Sequence, residues 1–187
     1  IVAGLATGIA IGIFNGLLTT KVGIPSFLTT LAMMGVAKGI AMWMSDTAAV
    51  PILSQGYAWW FGGGSIGAIP VLLFWMLLFG IIGHLLLRRT SFGRRVLATG
   101  GGEQAASYSG INTAQVKFRV LVLSSSAAAI AGMLYAGRLQ SGRFQLGEGD
   151  ELSVIAAAVL GGTSLFGGKG TVIGTIVGAL VIGLINN

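Results

Sequence analysis

The chain has 187 residues, of which 54% are hydrophobic and 9% charged, with a net charge of +6 and a mean hydropathy of +0.89. A soluble domain carries about 25% charged residues, so this chain has too few to cover a water-facing surface, and a polytopic membrane protein is expected. The basic excess sits mostly between apolar runs, as in cytoplasmic loops, which argues against nucleic-acid binding.

No cysteine is present, so disulfides and thiolate metal sites are excluded, and one histidine, His84, builds no zinc site by itself. The chain begins without methionine inside an apolar run and stops at Asn186-Asn187. It is therefore expected to be an internal fragment in which no targeting peptide can be assessed.

Residues 1–18 are almost wholly apolar until Lys21 and Gly23 to Pro25 break the run. A second run, 27–44, carries Lys38. Residues 45–68 are mixed, with Asp46, Pro51, Gln55 and Gly62 to Gly64. A third run, 69–87, has Pro70 near its first turn, where proline is tolerated. A basic stretch follows, then a fourth run over about 118–137. An acidic segment (Glu148, Asp150, Glu151) precedes two short runs, about 152–166 and 171–185, on either side of Gly167-Gly168-Lys169-Gly170.

A helix needs about 20 apolar residues to cross the hydrocarbon core. The second, third and fourth runs qualify. The last two are short, as tilted helices or half-helices of transporters are. Spanning strands are not expected, because no alternating pattern of about ten residues recurs. Lys21, the 88–119 stretch and Lys169 alternate with the acidic segments, so the positive-inside rule places them in the cytoplasm and Asn186 and Asn187 at the outer face.

Glycine is the second signal. Gly4, Gly8, Gly12 and Gly16 fall on one helix face, as do Gly170, Gly174 and Gly178. Small residues of this kind let helices approach closely in lipid. Gly12-Ile-Phe-Asn15 and Gly183-Leu-Ile-Asn186 hint at an internal repeat.

Arg88 to Arg119 is the one long polar stretch, with six of the eleven basic residues and a single acid, Glu103. A helix can begin over Arg94 to Ala98, and Gly100-Gly101-Gly102 is expected to break it. Glu103 to Ser109 reads as two turns, about 10 Å long, with Glu103 favourable for the helix dipole. Gly110 can end it in the left-handed conformation. Asn112, with Gln115 three residues on, caps the next helix. The residues alone leave two readings open. A helix of small residues (Ala105, Ala106, Ser107) suits a groove on a partner protein, and an amphipathic loop held to headgroups by arginines fits as well.

FGRRVLATGGGEQAASYSGIN resembles the cytoplasmic loop of the sugar-type ABC importer permeases for ribose, xylose and galactosides. ELSVIAAAVLGGTSLFGGKGTVIGTIVGALVIGLINN, from Glu151 to Asn187, is similar to them too, as is KVGIPSFLTTLAMMGVAKGIAM. The resemblance covers most of the chain and is weakest over 45–68. It implies one all-α polytopic membrane domain over 1–187, with about six transmembrane or half-membrane helices of a roughly ten-span permease. It implies multi-pass location in the cytoplasmic membrane, with 88–117 as the coupling loop. Gly101, Glu103, Ala105, Ala106, Ser109 and Gly110 would then meet an ATPase subunit. Gly161, Gly162, Thr163, Ser164, Gly167 and Gly168 would form a helix turn in the membrane. The family pattern usually has Asn where this chain has Gly102, and often Leu near Tyr108.

The implied function is monosaccharide translocation without a cofactor or catalytic residues of its own. The implied partners are an ABC ATPase, an extracytoplasmic sugar-binding protein, a second permease and membrane lipid. Nucleosides, an autoinducer sugar or branched-chain amino acids are alternative cargoes, and a passive channel is an alternative of another class. Gly162 to Thr171 is no P-loop, because the spacing to Gly168-Lys169 is too long and Gly170 stands where Ser or Thr would bind magnesium. Lys38 can snorkel or act within the membrane. Phe27, Trp43, Trp59 and Trp60 suit interfaces, and Trp59 and Trp60 could also meet the binding protein or sugar.

Overall fold

The computed structural model describes residues Ile1–Ile185. Among these the protein is an all-α polytopic membrane protein. Four helical stretches are long and apolar enough to cross a membrane: Val2–Val22, Ser26–Ser45, Val71–Arg89 and Thr113–Leu139. The expected outer position of Asn186 and Asn187, and the Asn186 half of the repeat, lie outside the described residues. The chain divides into two compact units, 1–75 with 117–146 and 76–116 with 147–187.

The first unit begins with α1 (Val2–Leu17), extended by a π-helical turn, Leu18–Val22. Gly23, at φ +83°, ends it as the sequence suggested. Pro25 then precedes α2 (Ser26–Ser45). The Thr19 and Thr29 hydroxyls lie 3.2 Å apart and tie the two helices together. The partner of the glycine face is remote in sequence. A Cβ at Gly4 would meet Met133, at Gly8 Ala129, at Gly12 Val122 and Ser125, and at Gly16 Phe118. That descending order makes α1 antiparallel to α7 (Thr113–Leu139). Without a hydrophobic drive in lipid, this close backbone approach is what favours the pair.

At the far end of α7, the 46–70 segment folds back. Val50–Pro51 (β1) pairs with Ser141–Gly142 (β4), and Ile52 N–H donates to the Gln140 carbonyl at 2.9 Å. Helix α3 (Gln55–Ala58), capped by Ser54, runs into a π turn, Trp59–Gly63. Tyr57 donates to the Met133 carbonyl at 2.9 Å and stacks on Phe61, with centroids 4.9 Å apart. Ser65–Ile66 (β2) and Ile69–Pro70 (β3) form a second short hairpin before α4 (Val71–Arg89). All four strands are two residues long and none spans, in line with the sequence.

The second unit contains the end of α4, then α5 (Ser91–Gly101), α6 (Glu103–Tyr108), α8 (Asp150–Leu160) and α9 (Val172–Ile185). The acidic cluster has a local role here. Asp150 and Glu151 occupy the first turn of α8, and Glu151 accepts from Gly149 N–H at 2.9 Å. Acids are favourable at that end of a helix. The α8–α9 pair is packed backbone to backbone. A Cβ at Gly161 or Gly174 would strike the other's backbone, and one at Gly178 the Ala157 carbonyl.

One expectation is corrected. The run 152–166 is not one helix, because α8 stops at Leu160 and an irregular segment, 161–171, follows. The cause is a glycine stop: Gly162 at φ +86° lets its own N–H bond Val159 O (2.9 Å) and Thr163 N–H bond Ala158 O (3.0 Å), which completes a Schellman motif. At about 1.5 Å per residue, the 11 residues of α8 fall short of the roughly 30 Å hydrocarbon core.

Candidate functional site

The basic stretch folds as two helices around one break. Thr90 joins α4 to α5: its hydroxyl donates to Leu86 O at 2.5 Å and accepts from Gly93 N–H at 3.1 Å. Such a cap satisfies an otherwise orphaned donor of the first turn. α5 then continues through Gly100 and Gly101, so the triple glycine does not break the helix as expected. Only Gly102, extended at φ 178°, does so. Gly102 serves both helices. Its N–H bonds Ala98 O at 3.2 Å, and its carbonyl accepts from Ala106 N–H at 2.9 Å.

The reason for helical Gly100 and Gly101 lies across the unit. A Cβ at Gly100 would come 2.8 Å from Gly168 N, and one at Gly167 would strike the Gly100 carbonyl. These glycines provide close approach rather than chain reversal.

α6 ends as its sequence implied. Gly110 lies at φ +82°, its N–H bonds Ser107 O at 2.9 Å, and Ile111 N–H bonds Ala106 O at 3.1 Å, a second Schellman motif. Asn112 Oδ1 accepts from Gln115 N–H at 3.0 Å and caps α7. Of the residues singled out for coupling, Glu103, Ala105, Ser109 and Gly110 are exposed, and Gly101 closes α5. Ala106 is different. At 5% exposure it is buried against the rest of the protein. Ser109 is bonded back to Ala105 O at 2.9 Å. The sequence reading left out Tyr108 as a contact residue, yet it is 90% exposed on α6. An aromatic ring in a short polar helix was the available signal.

The 161–171 segment is held as a closed loop. Ser164 N–H bonds Lys169 O (3.0 Å), Gly167 N–H bonds Ser164 O (3.2 Å), and the Thr171 hydroxyl donates to Gly161 O (2.8 Å). Thr163, Ser164, Gly167 and Gly168 line a mainly apolar cavity of about 570 Å³ with Leu97 and Ile176. Gly161 and Gly162 sit instead at the α8 terminus. The segment follows a helix, not the strand a P-loop needs. Among the described residues, no cluster of three or more His, Cys, Asp or Glu side chains is placed to hold a metal ion.

The geometry therefore brings two glycine-rich segments together at the end of the unit that carries Arg88, Arg89 and Lys169. Lys38 on α2 and His84 on α4 are half-buried.

Residues 1–187 match the family described as branched-chain amino acid transport system / permease component. The ribose import permease protein RbsC of Bacillus subtilis is 43% identical over 174 residues, covering 92% of this chain and 54% of that protein. RbsC of Escherichia coli K12 is 37% identical over 193 residues, covering 100% and 59%. The L-arabinose transport system permease protein AraH of Escherichia coli K12 is 40% identical over 178 residues, covering 92% and 52%. The chain thus spans just over half the length of these relatives. No solved structure matches it.

Proposed function

The chain belongs to the branched-chain amino acid transport system / permease component family, and from that premise we propose that it is the membrane-spanning part of an ABC importer that carries a monosaccharide. The observation that carries this reading is α6. It is a separate six-residue helix, hinged at Gly102 and stopped at Gly110, with Glu103, Ala105 and Tyr108 exposed between spans α4 and α7. A passive channel needs no such rigid knob. ATP hydrolysis then belongs to a separate subunit that grips α6 within the 88–117 loop. The motion it imparts tilts the spans to alternate access. A second permease and an extracytoplasmic binding protein complete the importer.

Ribose and L-arabinose in the relatives' names favour a pentose over the amino acid in the family's description. Gly161 to Gly168 act in this reading as the turn that links two half-membrane helices.

The test places Ala105→Arg in the full-length permease, reconstituted with its ATPase and binding protein. A charge at this exposed position leaves the fold intact and blocks docking. The ATPase should no longer co-purify, and ATP-driven uptake of labelled ribose or arabinose should fall by roughly tenfold or more. Uptake that persists in that variant, or that runs without ATP in the unmodified protein, overturns the proposal.

A further inference from the structure

Between α6 and the α8–α9 pair lies a contact made without side chains. Gly100 and Gly101 at the end of α5 meet Gly167 and Gly168 in the 161–171 loop, all within the second unit. We infer that this glycine junction passes displacement of the α5–α6 segment to α8 and α9. The inference rests on the reading of α6 as the docking helix.

Side chains absorb small displacements by changing rotamer, whereas packed backbones have no such slack. On one side of the junction, α5 and α6 share Gly102 through the bonds to Ala98 O and from Ala106 N–H. Ala106 is buried, so α6 does not slide freely over the protein. A push on α6 therefore reaches Gly100, two residues before the hinge.

On the other side, the hydrogen bonds of Ser164 and Thr171 close the 161–171 loop into a block. That block continues into α8 and α9, whose backbones touch at Gly161 with Gly174 and at Ala157 with Gly178. At each of these glycine contacts backbone meets backbone. The end of this path is α9 with α8, a helix too short to span, the kind of element transporters place around their cargo.

The structure supplies its own control. A methyl at Gly100 would lie 2.8 Å from Gly168 N, where only backbone can yield, while one at Gly83, on α4, would lie 3.5 Å from Val172 Cγ1, an ordinary contact. Neither glycine has a positive φ, so alanine tests space alone.

In the full-length complex, Gly100→Ala should keep ATPase association and hydrolysis while uptake falls by roughly tenfold, within the range of known coupling energies. Gly83→Ala, outside the junction and the docking loop, should stay within about twofold of the unmodified protein. Loss of association in Ala105→Arg tests the docking reading separately. Uptake by Gly100→Ala equal to the unmodified protein overturns the inference, and so does an equal loss in both alanine variants.

Should Gly100→Ala fail to fold, a spin label at Ile173→Cys in an otherwise cysteine-free complex still decides. Ile173 is exposed at the start of α9. Its spectrum should change when ATP is added, and an unchanged spectrum during active uptake overturns the inference.

Discussion

Replacing the α1 glycines by alanine tests whether backbone approach holds α1 to α7. At Gly12 a methyl would lie 2.8 Å from Val122 Cα, 3.0 Å from Ser125 Cβ and 3.3 Å from Leu121 O. None of these atoms can swing aside, so α1 must lift away. At Gly4 the methyl meets Met133 Sδ at 3.1 Å, the far end of a flexible side chain. Overpacking of a rigid site costs about 1–3 kcal/mol. Alanine returns up to about 1 kcal/mol of helix propensity at either position. Gly12→Ala should therefore destabilise the protein by about 1 kcal/mol net, and Gly4→Ala should be neutral or stabilising by about 0.5 kcal/mol. Gly8→Ala collides with the Ala129 methyl, and adding Ala129→Gly should recover part of the loss. The assay is reversible unfolding in mixed micelles, followed by circular dichroism across the series. If Gly12→Ala is as stable as Gly4→Ala, or Ala129→Gly rescues nothing, the α1–α7 contact is not what holds this pair.

Gly110→Ala forces a methyl into the left-handed region at φ +82° and should cost roughly 1–2 kcal/mol, seen as faster hydrogen exchange at Gly110 and Ile111. Asn112→Ala removes the cap on Gln115 N–H and should lower stability by about 1 kcal/mol in the same unfolding assay. Tyr57→Phe deletes the hydrogen bond to the Met133 carbonyl, a loss of about 1 kcal/mol. Burial also raises the Tyr57 pKa above its ordinary 10.0. The folded state thus holds this proton longer than the unfolded one. The stabilisation is complete below pH 10 and fades as pH rises through the folded value. Tyr57→Phe should flatten that alkaline decline, and an unchanged pH profile would refute this assignment.

Much of the site was legible because its signals are local. Gly110 stops α6 and Asn112 caps α7 where the sequence placed them, since a left-handed stop and a side-chain cap depend on residues within a few positions. The burial of Ala106 was not legible, for the opposite reason. Its neighbours Ala105 and Ser107 are equally small, and only the packing of α6 decides which of them is buried.

The sequence by itself determined the membrane class and the spans, because run length and charge placement answer directly to bilayer thickness and desolvation. It also determined the Gly110 stop of α6 and the cap of α7. The tertiary structure alone decided what the remaining glycines are for. Gly4 to Gly16 await α7 more than a hundred residues on, and Gly100 and Gly101 stay helical so that Gly167 and Gly168 can reach them. A missing side chain reads the same in sequence whether it permits a positive φ or a close neighbour, and only the second use needs a partner brought from elsewhere in the fold.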